Sequence, residues 1–188
     1  MIPLSNDRDL LTLLQSSAWH MTALRVAAAM KLPDCWIGAG FVRAPVWDAL
    51  HGFDRPTPLS DLDVIYFDRE VATPERDETL EQELRARAPC YPWSVRNQAR
   101  MHRRNGDRPY RSTADALCHW LETPTAVAVR LASDGQLELL APLGLADLLA
   151  LRLRPTPHAR QRRLAAYQER LAQKPWRHQW PRLQIDDG

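Results

Sequence analysis

The sequence predicts one α+β domain in which a small mixed β-sheet is flanked by α-helices. Three observations support that fold class. Helical and extended patterns alternate, two extended segments flank the tight turn Ser133-Asp134-Gly135, and no repeat interrupts the order. With 188 residues, 45% of them hydrophobic, the chain can bury one core. We therefore expect residues 1–188 to form a single domain, with a basic helix and a tryptophan-rich tail, about residues 156–188, packed on it.

The amino-terminal half contains three of the predicted strands. Pro45 suits the first turn of a helix, and Gly38 and Gly40 permit a tight turn before it. In chain order we predict a helix capped by Ser5 or Asn6, a helix over 19–30, a strand over 35–37, a helix from 43 or 44 to 50, a strand over 61–67, a helix from Thr73-Pro74 to about 88 and a strand over 93–97.

The carboxyl-terminal half contains the hairpin and further helices. Residues 100–111 are basic and typical of a loop. In order, we then predict a helix capped by Ser112 and Asp115 that runs through Trp120, a hairpin of strands 126–131 and 136–140, a helix over 143–151, and a last helix with Leu164, Tyr167 and Leu171 on one face.

Composition excludes several classes of protein. Charged residues at 26% and a mean hydropathy of -0.44 exclude a fibrous or disordered chain. No apolar run approaches the ~18 residues of a membrane span, and Asp7 and Asp9 stand where a signal peptide would be basic. We expect a cytoplasmic protein without a membrane partner. Cys35, Cys90 and Cys118 show no CxxC spacing, so buried free thiols are expected rather than disulfides or zinc ligands.

Charge is distributed unevenly along the chain. Residues 61–83 contain nine acidic and two basic residues, whereas residues 152–182 contain nine basic residues and one acid. The basic segment could face nucleic acid or a phosphate chain, or it could be a solvated helix face. Trp176 and Trp180 in that region could stack a base or hold the carboxyl terminus to the body of the protein.

Two acids at the start of the second strand are the leading candidates for chemistry. Alternate residues of a strand share a face, so Asp61 and Asp63 point the same way with Cα atoms ~6.5 Å apart. The rest of the strand is apolar, and a buried carboxylate without a partner is costly. A divalent cation such as Mg²⁺, or Mn²⁺, would be a suitable partner because it prefers oxygen ligands and substrate phosphates.

The glycine turn predicts the complementary half of such a site. Gly38, Ala39 and Gly40 lead into a helix, where backbone N–H groups and the helix dipole favour a phosphate. Arg43 lies three residues further on and could stabilise charge on a leaving pyrophosphate. Ser60, beside the first acid, is a further candidate for nucleotide binding.

The order of strand, glycine turn, helix and acidic strand resembles the nucleotidyltransferase superfamily that includes polymerase beta. Residues 39–43 look like the Gly-Gly-x-Val-Arg turn of CCA-adding tRNA nucleotidyltransferases. A closer resemblance is to a bacterial family of small nucleotidyltransferase-like proteins. It is carried by Trp47-Asp48, residues 60–64 and 66–68, Asn97-Gln98-Ala99-Arg100-Met101-His102, residues 141–145, Arg154-Pro155 and Lys174-Pro175-Trp176.

The resemblance implies metal-dependent transfer of a nucleoside monophosphate from an NTP to an acceptor. It places Asp61 and Asp63 as catalytic metal ligands. The acceptor is open: RNA, a protein hydroxyl or a small molecule. Asn97, Arg100 and His102 are accessory candidates, since this basic stretch could contact a nucleotide or an RNA backbone.

One feature departs from the superfamily, whose active members usually supply a third carboxylate from a neighbouring strand. Residues 93–97 contain no acid, and Asn97, Asp68 and Glu138 are the alternatives. A second hypothesis is therefore a catalytically silent protein that binds nucleotide or RNA and regulates a partner. A third is that the two acids are only a structural feature of the surface.

Overall fold

A five-stranded sheet forms the centre of the computed structural model, which describes residues 4–188. The strands lie in the order β3-β2-β1-β4-β5, and their bounds are β1 (Trp36–Gly38), β2 (Leu62–Tyr66), β3 (Trp93–Asn97), β4 (Ala128–Leu131) and β5 (Leu137–Leu140). β2 and β3 are parallel, and the other neighbouring pairs are antiparallel. The predicted α+β fold with a small mixed sheet is confirmed.

Helices flank this sheet. They are α1 (Asp7–Gln15), α2 (Ala18–Ala28), α3 (Gly40–His51), α4 (Pro74–Arg87), α5 (Gln98–Asn105), α6 (Thr113–Leu117), α7 (Ala146–Leu149), α8 (Pro157–Arg162), α9 (Leu164–Gln173) and α10 (Trp176–Gln179). A separate parallel pair joins β6 (Arg152–Leu153) to β7 (Gln184–Ile185). Within residues 4–188, no helix has the length and apolar character needed to cross a membrane.

The core lies mainly on one face of the sheet. Leu62, Val64 and Tyr66 of β2 are at most 1% exposed and belong to this large cluster, together with Trp176 and Trp180 from the end of the chain. The other face carries a smaller cluster that includes Ile65. The tryptophan-rich tail is therefore packed into the main core.

The helix after the glycine turn begins earlier than predicted. α3 starts at Gly40 rather than at residue 43 or 44, so Pro45 lies inside the helix and not in its first turn. The strand that follows starts at Leu62, one residue later than expected. As a result, the amino terminus of α3 lies directly at the turn of Gly38 to Gly40.

The prediction of a loop over residues 100–111 is wrong for its first part, because α5 occupies residues 98–105. The Asn97 side chain accepts a hydrogen bond from the Ala99 N–H at 3.0 Å, and Gly106 ends the helix in a left-handed conformation. Basic residues fill the last turn, where they complement the helix dipole. Helix caps, rather than apolar periodicity, specify this element.

Three other predicted elements are shorter in the structure. α6 ends at Leu117, and β4 begins at Ala128 because Thr123–Thr125 forms a 3₁₀ turn. α7 spans only Ala146–Leu149, since positive φ angles at Gly144 and Leu151 exclude a longer helix. Cys35, Cys90 and Cys118 are free thiols as expected. The prediction that they are buried is wrong for Cys90, which is exposed in the loop before β3, and Cys35 and Cys118 are only partly buried.

Candidate active site

A cavity of about 630 Å³ opens beside the start of β2. Its wall combines the glycine turn, Asp61 just before β2, Asp63 within it, one face of α5, the segment before β4, and the helices α9 and α10. Six of the predicted site residues line it, namely Ala39, Gly40, Arg43, Ser60, Asp61 and Asp63, whereas Gly38 does not. The structure therefore gathers the predicted phosphate-binding and acidic residues around one cavity.

The two acids differ in their surroundings. Asp61 is exposed and its Oδ1 accepts a hydrogen bond from the Ser60 hydroxyl at 3.3 Å, whereas Asp63 is partly buried. Burial, together with the negative charge of Asp61, raises the pKa of Asp63 to about 6 against the opposing effect of Arg170, Arg43 and Arg96. The nearby guanidinium groups thus leave this carboxylate incompletely compensated.

The glycine turn holds its backbone close to β4. The Ala39 N–H donates to the Val127 carbonyl at 3.0 Å, and a Cβ at Gly38 would lie 3.2 Å from the same oxygen. Ala39 has φ +53°, a conformation that favours glycine. No side chain caps the amino terminus of α3, and Gly40, its first residue, lines the cavity, an arrangement that favours an anion at this helix end.

Arg43 is held on aromatic surface. It is 8% exposed, and its Cζ lies 5.2 Å from the ring centroids of Trp47 and of Trp176 and 6.0 Å from that of Trp180. Burial lowers the pKa of Arg43 to about 10, so the group stays charged at neutral pH. Within residues 4–188, its Nε has no hydrogen-bond partner.

Glu122 and Arg170 are cavity residues that sequence reasoning missed. Glu122 is 2% exposed, accepts a hydrogen bond from the Thr125 hydroxyl at 2.6 Å, and forms an ion pair with Arg170 Nε at 2.7 Å. Arg170 belongs to the basic segment, which the charge distribution indicated, but nothing in the local pattern distinguished it from its neighbours. Glu122 has no sequence signal, because its burial depends on a distant helix.

The accessory candidates do not line the cavity. Because β2 and β3 are parallel, Asn97 lies opposite Tyr66, at the end of the sheet away from Asp61. The Asn97 amide donates to the Asp68 carbonyl at 2.7 Å, and Arg100 pairs with Asp77. His102 bonds the Ala99 carbonyl at 2.9 Å. Other residues of α5, namely Gln98, Met101, Arg104 and Asn105, face the cavity instead.

Neither alternative third acid reaches the cavity. Asp68 accepts hydrogen bonds from the N–H groups of Glu70 and Val71 beyond the far end of β2, and Glu138 pairs with Arg130 on the exposed hairpin. Among the cavity residues in the described range 4–188, Glu122 is the acid besides Asp61 and Asp63. That range contains no cluster of three or more His, Cys, Asp or Glu side chains suited to hold a metal ion.

Comparison with known families and structures gives consistent results. A family model described as Nucleotidyltransferase matches residues 25–185. A protein whose NMR structure was described as revealing a CCA-adding enzyme head domain is 34% identical, with full coverage of both chains and a TM-score of 0.87. No curated protein matches the chain in sequence.

More distant structures share the fold. A CCA-adding enzyme in complex with CTP is 13% identical with a TM-score of 0.60 over 99% of this chain, and the Thermotoga maritima CCA-adding enzyme complexed with tRNA is 14% identical with a TM-score of 0.57 over 97%. This chain covers 44% and 42% of those two enzymes, less than half of their length.

Proposed function

The chain belongs to the nucleotidyltransferase family, and from that premise we propose that it transfers a nucleoside monophosphate from an NTP to an acceptor. One observation carries the proposal: Asp61 and Asp63, the amino terminus of α3 and Arg43 line the same cavity. We further propose that residues 1–188 act as one domain, which the burial of Trp176 and Trp180 supports.

The residues of the site fit a divalent metal ion. Two carboxylates two positions apart at the start of β2 supply the oxygen ligands that Mg²⁺ or Mn²⁺ prefers, and the raised pKa of Asp63 reflects a buried charge with too little compensation. Asp61 and Asp63 would hold the ion. When bound, it would neutralise phosphate charge and favour displacement at the α-phosphorus.

The remaining residues act on the phosphate chain. The first N–H groups of α3 favour negative charge, and Arg43 adds a fixed guanidinium. The oxygen of an acceptor hydroxyl forms a bond to the α-phosphorus and its proton passes to solvent, while the bond between that phosphorus and the bridging oxygen of the β-phosphate breaks, so pyrophosphate leaves with the electron pair. Arg43 stabilises the charge that develops on the leaving group because its orientation is set before the reaction.

RNA is the acceptor class that we favour. Arg96, Arg104 and Arg163 line the cavity, and a basic wall suits a phosphate backbone. The complexes of CCA-adding enzymes with tRNA and with CTP support this choice through fold similarity. Protein hydroxyls and small molecules are the alternative acceptor classes.

One observation favours a catalytically silent binding protein as the second candidate. Glu122, the additional acid of the cavity, is engaged by Arg170 and Thr125 rather than directed to Asp61 and Asp63 as a third ligand. The site would then bind nucleotide or RNA and regulate a partner.

Two measurements test the proposal. The melting temperature is recorded with Mg²⁺ and each NTP, and NTPs labelled at the α-phosphate are incubated with protein and total cell extract. We expect stabilisation by at least one NTP and labelled RNA, with both lost in the Asp61→Asn, Asp63→Asn double variant. Asp54→Asn, in an exposed loop outside the cavity, is the matched control.

The outcomes separate the candidates. Binding that depends on both acids, without label on any acceptor, supports the silent protein. Label that is equal with the wild type and the double variant refutes the transferase. If no NTP stabilises the wild type, both the transferase and the silent binding protein are refuted, and a structural role for the two acids remains.

A further inference from the structure

Two arginines from distant parts of the chain share one tryptophan ring in the cavity wall. Arg43 comes from α3, Arg170 from α9 and Trp176 from α10. The Cζ atoms of Arg43 and Arg170 lie 5.2 Å and 5.6 Å from the Trp176 ring centroid. Stacking on an aromatic face orients a guanidinium group and leaves its N–H edges free to bond. The carboxyl-terminal helices therefore contribute cationic groups to the same wall as the predicted phosphate-binding residues.

Glu122 is the acid that pairs directly with one of these two cations. Glu122 is 2% exposed and forms the ion pair with Arg170, while its second oxygen accepts the Thr125 hydroxyl. Arg43 is 8% exposed and forms no ion pair with any residue in the range 4–188. A buried guanidinium without a direct ion-pair partner in that range favours an anion beside it, and Arg170, whose side chain is 38% exposed, remains accessible to the same ligand.

Arg43 also has unused hydrogen-bonding capacity. Its buried Nε has no acceptor in the described chain, and an unsatisfied buried donor costs about 1–3 kcal/mol. The residue lines the cavity, so an acceptor oxygen on a ligand in that space would satisfy the donor. This requirement is independent of the charge argument.

The chemistry of the wall selects phosphate over a nucleobase. Guanidinium groups bind phosphate oxygens through parallel N–H···O bonds. Trp176 is 3% exposed and its ring is occupied by the two arginines, so it has little surface on which a base could stack. Since the amino terminus of α3 lies in the same cavity, the arrangement suits a chain of phosphates.

We propose that Arg43, Arg170 and Trp176 form a clamp for the phosphate chain of the substrate, and that Glu122 is the positioning residue that holds Arg170 in it. The inference rests on the proposed function for the identity of the substrate. It assigns the carboxyl-terminal helices α9 and α10 to the nucleotide site, beyond the glycine turn and the two acids.

The first experiment measures calorimetric binding of two probes, Mg²⁺-tripolyphosphate and the Mg²⁺-NTP that stabilises the wild type most. Arg170→Ala should weaken both by about tenfold or more, because a charge-assisted hydrogen bond is lost and the base plays no part. Arg170→Lys should recover part of the loss. The matched control is Arg177→Ala, whose side chain is 66% exposed and pairs with Asp187 outside the cavity.

The second experiment tests the role of Glu122 by the sign of its effect. Removal of a negative charge by Glu122→Gln would strengthen anion binding if charge alone mattered. A positioning role predicts weaker binding in Glu122→Gln, and little further loss when Arg170 is already alanine. That non-additivity would not arise from a general structural defect, which circular dichroism and the melting temperature monitor in each variant.

The results separate this inference from the proposed function. Nucleotide binding that requires Asp61 but is unchanged in Arg170→Ala overturns the clamp alone. Tripolyphosphate binding that requires Arg170, without nucleotide transfer to any acceptor, leaves the clamp and overturns the transferase. Failure of wild type to bind either probe overturns both. If Arg170→Ala does not fold, Arg170→Lys and Arg170→Gln decide, and equal affinity in all three proteins counts against the clamp.

Discussion

Two groups of charged side chains lie at opposite ends of β2. They differ in how many of their charges and hydrogen-bonding atoms have a partner. At the far end, the closed network consists of Asp77, Tyr66, Asn97 and Arg100. Asp77 is 1% exposed and accepts from the Tyr66 hydroxyl at 2.8 Å, the Asn97 N–H at 3.0 Å and the Arg100 guanidinium. Every strong donor around this carboxylate has its acceptor.

The open cluster at the start of β2 consists of Asp61, Asp63, Arg43, Arg170 and Glu122. Here Asp63 has a raised pKa, and the buried Nε of Arg43 lacks an acceptor within the described residues. Buried charge stabilises a fold only when it is paired and hydrogen-bonded. The closed network is thus suited to stability, whereas the open cluster has capacity left for a metal ion and a phosphate chain.

The largest expected effect comes from breaking the closed network. Asp77→Ala leaves Arg100, the Tyr66 hydroxyl and the Asn97 N–H without their acceptor, and we expect a loss of about 3–5 kcal/mol in the free energy of unfolding. Urea denaturation measures this change. Glu138→Ala is the control, because its pair with Arg130 is exposed and should contribute less than about 1 kcal/mol.

Nucleotide affinity of the folded Asp77→Ala variant provides the contrast between the two ends. We expect it to equal that of the wild type, since Asp77 is absent from the cavity lining. A loss of affinity as large as that in Asp61→Asn would show that the two groups are coupled.

A smaller effect is expected at Asp63, where removal of the charge should raise, rather than lower, the free energy of unfolding at neutral pH. Its pKa is raised to about 6 in the folded protein, so the protonated form is favoured on folding. This contribution to stability is full below about pH 4 and is lost as pH rises through about 6, a change of about 3 kcal/mol at most. In EDTA, the unfolding free energy of the wild type should therefore fall relative to that of Asp63→Asn over this range.

Addition of Mg²⁺ should reduce that fall, because a bound cation stabilises the ionised carboxylate. The measurement is urea denaturation at a series of pH values with EDTA or Mg²⁺. If the curves of unfolding free energy against pH are parallel for wild type and Asp63→Asn in EDTA, the charge of Asp63 is compensated to the same degree as that of Asp77.

The smallest effect concerns backbone strain at the open cluster. Ala39 has φ +53° and ψ −120°, at a position where the CCA-adding turn that this segment resembles has glycine. Ala39→Gly should raise stability by up to about 1 kcal/mol, since relief of strain outweighs the added freedom of the unfolded chain. Ala49→Gly in the regular part of α3 should instead lower it by about 1 kcal/mol. Thermal unfolding compares the stability of the two variants, and an equal loss of stability in both would contradict backbone strain at residue 39.

Much of the fold could be predicted because its signals are local. Caps at Asn6, Thr73 and Ser112 and the Ser133-Asp134-Gly135 turn each depend on a few neighbouring residues, and the predicted family is confirmed. Element boundaries were less accurate. α5 was missed because its apolar pattern is weak and its caps, Asn97 and Gly106, were not recognised.

The candidate site was predictable only where its residues lie close in sequence. Gly38 to Gly40, Arg43, Asp61 and Asp63 fall within a span of 26 positions, from 38 to 63, and all of them except Gly38 line one cavity. The accessory candidates failed to reach it because the parallel register of β3 directs Asn97 to the opposite end, and α5 presents a different face.

The sequence by itself determined the α+β class, the family and the two acids beside a glycine turn, since periodicity, caps and motif spacing act over short distances. Tertiary structure alone decided which distant groups complete the cavity. Glu122, Arg170 and Trp176 meet Arg43 only in the folded chain, where α9 and α10 contribute to the cavity wall, and their proximity sets the charge balance of the site. Electrostatic interactions depend on distance in space and on exclusion of water, and neither can be read from the order of residues.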